Sequence, residues 1–238
     1  MSNARSRAEQ QRDLQLRRRR ERRLLTAVAA GLVLLVVAGG VLLQTWRTHR
    51  TPSAATHSSA GFAPVSVEPG KPLLLGKAGA PVKITLYEDF HCPHCADFEE
   101  KLGPVITEQQ NSGTVVVELF PMAFIDEGSL AASNAMACAA ENGFGQSYYL
   151  GLFANHTLQW NQSQLIDLAT RTAGGSRGRF DSCVTTGAHA SWVDSINAAA
   201  QSAGVDSTPT MFLDGNPVDV GRLTPDTLRT MISEAAAK

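Results

Sequence analysis

The chain carries no Gly-rich phosphate loop, no nucleotide- or flavin-binding motif and no internal repeat. Chemistry driven by a bound nucleotide or flavin therefore has no visible seat in it. Cysteine is scarce: four in 238 residues, at positions 92, 95, 138 and 183. Positive charge is scarce beyond residue 50, with ten Lys and Arg against nineteen Asp and Glu. An acidic body of this kind argues against nucleic acid as its partner. Charge is absent altogether from Leu24 to Leu43, and neither a small-x-small cleavage site nor a lipobox cysteine follows that run closely.

What is present at the N-terminus is basic. Residues 1–23 hold nine arginines against Glu9, Asp13 and Glu21. A twenty-residue uncharged run after such a segment has the length of a bilayer-spanning helix, ~30 Å at ~1.5 Å per residue. Trp46 lies just beyond it, where an interfacial aromatic belongs. Typical signal-peptide cores are shorter, about 7–15 residues, so the run is read as a retained anchor. The expected organisation is a basic cytoplasmic tail (1–23), a transmembrane anchor (24–43), a flexible linker rich in Thr, Ser, Ala, Pro and Gly (44–62), and a folded domain (63–238). The positive-inside rule then places a single-pass protein in the cell membrane, its N-terminus cytoplasmic and its domain outside.

Within the domain, Pro72–Gly76, Val82–Phe90 and Thr114–Phe120 read as strands, the second from its β-branched alternation at Val82, Ile84 and Leu86. Pro93 to about Gln110 reads as a helix that Pro104 should kink or break. Five further helical patterns, punctuated by glycines, fill the stretch from about 128 to 203. Pro209–Leu213, an Asp214-Gly215 turn and Pro217–Val220 form a hairpin pattern, and Thr224-Pro225 starts a last helix. The order is β-α-β, a helical block, then β-β-α.

The residues that carry chemistry are His91-Cys92-Pro93-His94-Cys95, between a strand and a helix. Cys92 falls at the helix N-terminus, where unpaired N–H groups and the helix dipole favour a thiolate. Cys95 follows on the same face, close enough to close a disulfide ring. A CxxC alone has three readings: a redox pair, half a zinc site, or a surface accident. Zinc would want a second close ligand pair, and Cys138 and Cys183 do not supply one in sequence.

Strand–CPHC–helix, an inserted helical block, then Ser207-Thr208-Pro209-Thr210 opening a strand and hairpin, together resemble the thioredoxin superfamily. More narrowly, the chain from 63 to 238 is similar to membrane-anchored bacterial DsbA-like thiol:disulfide oxidoreductases. The resemblance implies an α/β thioredoxin fold with an inserted helical domain, here preceded by a single N-terminal transmembrane helix. It implies catalytic Cys92 as nucleophile and Cys95 as resolving partner, with Pro93 and His94 tuning the redox potential. It implies substrate binding at Thr208 and a cis Pro209. No cofactor beyond the redox-active disulfide, and no metal, is expected. With Cys92 and Cys95 taken as that redox pair, Cys138 and Cys183 are left for each other and read as a structural disulfide, against two free thiols or a relay.

The resemblance also marks a departure. The family often buries an acid six residues before the first cysteine; here that position is Leu86. Glu88 and Asp89 are nearer, and strand alternation sends them to opposite faces; whether either takes over the proton role is open, and the default for both is surface charge or strand-end hydrogen bonding. The function implied is donation of the Cys92–Cys95 disulfide to reduced or unfolded exported proteins, through a mixed disulfide on Cys92. Reoxidation would come from a membrane partner of the DsbB or vitamin-K-epoxide-reductase-like type. A reductase or isomerase on the same fold, and a non-catalytic envelope scaffold, are the alternatives.

Overall fold

The computed structural model describes residues 31–42, 45, 52, 63–173 and 178–238. The chain divides into two units, Met1–His49 and Arg50–Lys238. In the first, α1 is described over residues 31–42. Among the described residues, no helix is long and apolar enough to cross a membrane. This overturns the transmembrane helix expected at 24–43, and with it the single-pass placement in the cell membrane and the membrane as a partner through an own anchor. The basic tail at 1–23 lies outside the described residues, as does the linker at 44–62 apart from two positions.

The second unit is built on a five-stranded sheet in the order β1-β3-β2-β4-β5: β1 (Leu73–Gly76), β2 (Val82–Asp89), β3 (Val115–Met122), β4 (Thr210–Leu213) and β5 (Asn216–Val218). Only β2 and β3 run parallel, joined through α2 (Pro93–Asn111) as a parallel pair requires. The other pairs are antiparallel. β2 sits in the middle and is buried at Val82, Ile84 and Leu86, the alternation its sequence announced. Pro121 is accommodated in β3 because β1 pairs with β3 only from Val116 to Leu119, which leaves that flank of the proline unpaired.

Helix α2 begins with Pro93 at its first position, where a missing N–H removes nothing from the helix. It runs through Pro104 without a break; of the two outcomes expected there, kink or break, the break does not occur. Pro104 and Glu100, whose carbonyl loses its partner, both lie on the solvent face, so water can take the freed acceptor. The helical block comprises α3 (Glu127–Glu141), α4 (Gly145–Ala154), α5 (Gln162–Ala173), α6 (Gly178–Thr186) and α7 (Ala190–Ser202). Its centre is α3, a run of small side chains that lets α4, α6 and α7 approach closely. Aromatic edge-to-face contacts among Phe144, Tyr148 and Phe180 join α4 to α6. The closing helix α8 (Pro225–Ala236) is capped by Thr224, whose hydroxyl accepts from the Thr227 N–H at 3.2 Å, and packs on α2 and β2.

Candidate active site

Everything at the candidate site hangs on the few residues between β2 and α2. Asp89 ends β2 fully buried, and its carboxylate accepts from the Ser129 hydroxyl at 2.6 Å and the His91 N–H at 2.9 Å. Its second oxygen accepts from Phe124 N–H at 3.2 Å and Ile125 N–H at 3.4 Å. Its backbone carbonyl receives the Cys92 N–H at 2.9 Å. A buried carboxylate with this many donors is well satisfied, and it locks the turn that delivers Cys92. Of the two readings the sequence allowed for Asp89, strand-end hydrogen bonding is the one observed.

Cys92 is the N-cap residue of α2, and the Ala96 N–H reaches its carbonyl at 3.1 Å. Both Cys92 and Cys95 are free thiols here. Cys92 keeps 6 % of its surface exposed and Cys95 none. The Cys92 thiol donates to the carbonyl of Thr208 at 3.6 Å, and the Thr208–Pro209 peptide bond is cis. Burial and the neighbouring Glu88 charge push the Cys95 thiol far up; the Asp89 backbone and the Thr208 side chain offset only part of this. Pro93 and His94 are exposed at the start of α2. A groove of about 410 Å³ opens beside them, lined among others by His94, Phe98, Leu102, Thr208 and Pro209.

The structure thus brings Cys92, Cys95, Pro93, His94, Thr208 and Pro209 into one place. It puts Cys138 and Cys183 elsewhere, as a disulfide with sulfurs 2.03 Å apart that ties α3 to α6. Among the described residues the one cluster with metal-ligand composition is Cys138, Cys183 and His189, and its sulfurs are bonded to each other, which leaves no thiolate for a metal.

Three residues escaped the sequence reading, and for a fourth, Glu88, it left the role open. Glu88, read as surface charge or strand-end hydrogen bonding, is fully buried and hydrogen-bonded, because it continues the inward parity of Ile84 and Leu86 along β2. Glu99, also buried, stands one helical turn after Cys95, a spacing legible in the sequence and overlooked. Tyr149 of α4 donates its hydroxyl to Glu88 Oε2 and has a hydrogen bond with Glu99 as well. Burial first, then the Glu99 charge, raises the Glu88 carboxyl well above its usual range, against the Tyr149 hydrogen bond. Burial raises Glu99 to about 7. Asp126, the N-cap of α3, meets His91 Nδ1 at 2.6 Å and so fastens the residue before Cys92 to the helical block. Burial pushes Asp126 up, but the N–H of Ser129 and the His91 ring outweigh it and hold the carboxyl below its usual range.

The structure is similar to that of BdbD from Bacillus subtilis in its oxidised form, at 22 % identity and a TM-score of 0.62, covering 76 % of this chain and 100 % of that one. It is similar to reduced DsbG from Mycobacterium tuberculosis, a disulfide bond oxidoreductase, at 23 % identity and a TM-score of 0.59, covering 72 % and 90 %. A third likeness is to MdbA from Corynebacterium diphtheriae, a thiol-disulfide oxidoreductase, at 24 % identity and a TM-score of 0.58, covering 75 % and 95 %. At these identities the likeness is one of fold. No curated protein matches the sequence. The thioredoxin family matches residues 68–234, the greater part of the chain, and to that family the chain belongs.

Proposed function

We propose that the protein is a thiol:disulfide oxidoreductase that donates the Cys92–Cys95 disulfide to reduced or unfolded exported proteins. The observation that carries this reading is Cys92 at the N-terminus of α2, its sulfur facing the Thr208 carbonyl at the edge of the groove. A substrate thiolate attacks the Cys92 sulfur, the bond to Cys95 breaks, and a mixed disulfide forms on Cys92. A second substrate thiolate attacks the substrate's own sulfur in that mixed disulfide, which leaves an oxidised substrate and a dithiol. The groove beside Pro209 suits an extended, unfolded segment, because its walls at Phe98, Leu102 and Val220 are apolar. Of the two residues between the cysteines, which we assign to redox tuning, exposed His94 lines the groove and Pro93 fixes the helix start. The second disulfide, Cys138–Cys183, fits work in an oxidising compartment. A membrane reoxidase of the DsbB or vitamin-K-epoxide-reductase-like type would return the dithiol to the disulfide.

Two measurements test the reading. Cys92→Ser should abolish oxidative refolding of a reduced substrate, and retained activity would leave only a scaffold role. Redox titration of Cys92–Cys95 should give a potential nearer about −120 mV than about −270 mV, and a value at the lower end means a reductase.

A further inference from the structure

The proposed thiol exchange leaves one proton to be placed. When Cys92–Cys95 opens, Cys95 departs as a thiolate at a site with no exposed surface, where the charged form is strongly disfavoured. Leu86 stands where the resemblance expects an acid, and its side chain is core. Two other carboxyls are at hand. Glu88 lies four residues before Cys92, and its charge acts on both Cys92 and Cys95. Glu99 lies on α2 one turn beyond Cys95. Tyr149 reaches both from α4, and its ring is held by Phe90 and Phe153, with centroids 6.1 and 5.1 Å away. Oε1 of Glu88 and Oε1 of Glu99 are buried without a hydrogen-bond partner. Among the described residues, neither carboxyl makes an ion pair. The charged or titratable groups facing the pair are Glu88 from β2, Glu99 and Cys95 from α2, Cys92 at its cap, and Tyr149 from α4. Two carboxyls in one dry site without a cation do not both ionise, so they hold a proton between them.

We infer that Glu88 and Glu99, bridged by Tyr149, are a shared-proton site that protonates and deprotonates Cys95 in place of the acid missing at Leu86. The inference rests on the thiol-exchange reading above. In the oxidative direction the substrate thiolate bonds to the Cys92 sulfur and the Cys92–Cys95 bond breaks with its electron pair on Cys95. The Glu88 carboxylic acid then gives up its proton, leaving a Cys95 thiol and a Glu88 carboxylate, and the pair regains one proton from solvent, so that the reduced protein at rest again holds a protonated carboxyl. In the reverse direction the Glu88 carboxylate takes the Cys95 proton. The Cys95 thiolate attacks Cys92 in the mixed disulfide, and the substrate leaves as a thiolate. Glu99 and Tyr149 are positioning residues: they set how readily Glu88 holds the proton.

The test follows resolution of a preformed mixed disulfide between Cys92 and a peptide thiol, in the full chain, by rapid mixing across pH. In the parent protein the rate should rise with pH through an inflection set by the carboxyl pair. Glu88→Gln should slow resolution by about a hundredfold at neutral pH and remove the inflection. Glu99→Gln, which deletes the like charge, should move the inflection down, and Tyr149→Phe should move it up. Glu88→Gln resolving at the parent rate with the parent inflection overturns the inference. Infrared spectra of the reduced parent protein should also show a protonated-carboxyl band. If Glu88→Gln fails to fold, this band decides, and its absence overturns the inference. Formation of the mixed disulfide is the separate control: a parent protein that forms none contradicts the thiol-exchange reading itself, whereas formation with unchanged resolution in Glu88→Gln contradicts only the proton site.

Discussion

Gly103 faces the Glu99 carboxyl one helical turn away: a Cβ placed on Gly103 would lie 2.6 Å from Glu99 Oε2 and 3.4 Å from its Cδ. Both residues are on the buried side of α2, so the missing methyl is the space the carboxyl occupies. Gly103→Ala gains about 1 kcal/mol of helix propensity and has to displace a buried carboxyl. Overpacking of this kind costs about 1–3 kcal/mol, so the variant should be less stable than the parent by roughly 1 kcal/mol. The denaturant midpoint measures it. A variant more stable than the parent would mean that Glu99 swings aside freely.

The raised carboxyls predict the direction of the pH dependence. Glu99 moves from 4.5 to about 7 on folding, and Glu88 moves the same way, so the folded state favours their protonated forms. Their stabilising contribution is complete below about pH 4.5 and is lost as pH rises through about 7. The reduced protein should therefore lose stability between pH 5 and pH 8, by on the order of 2 kcal/mol. Thermal melts across that window check it, and Glu99→Gln should flatten the curve. A parent curve that is already flat contradicts a protonated pair.

Cys138 and Cys183 are 45 residues apart in sequence and close a loop containing most of the helical block. In the chain-entropy model that cross-link contributes ~4 kcal/mol, mostly by restricting the unfolded chain. The double variant Cys138→Ala with Cys183→Ala should lose about 2–5 kcal/mol in denaturant unfolding. Mixed-disulfide formation by Cys92 should persist in it under conditions where it stays folded, because the bond joins α3 to α6 and not the turn that carries Cys92.

Cys95 has no exposed surface, and Cys92 has a small one. Attack by a substrate should therefore be confined to Cys92, and Cys95→Ala should accumulate a mixed disulfide that nothing within the protein resolves. Intact-mass measurement after incubation with an oxidised peptide should show one adduct per chain, mapped to Cys92. An adduct distributed over other positions would contradict the assignment of roles.

Part of this architecture was legible in the chain because it depends on local chemistry. Alternation at Val82, Ile84 and Leu86, Pro93 at a helix start, Thr224-Pro225 at another, and the Asp214-Gly215 turn announce their elements through backbone preferences that hold in any context. The burial of Glu88 was not legible for a related reason. An acid at the end of a strand is exposed by default, and only the arrival of Tyr149 from a helix about sixty positions later makes its burial tolerable. The reading of residues 24–43 failed differently. It took the hydropathy of a run as a measure of helix length, and among the described residues no helix is long and apolar enough to cross a membrane.

By itself, the sequence determined the order of strands and helices, the CPHC start of α2, and the helical block between β3 and β4. These follow from periodicity, capping and proline chemistry within a few residues. Only the tertiary structure decided that Thr208 meets the Cys92 sulfur, that Cys138 bonds Cys183, and that Glu88, Glu99 and Tyr149 share one buried site. Those pairings join residues separated by up to 116 positions, and long-range packing, not local preference, determines which side chains lose water together.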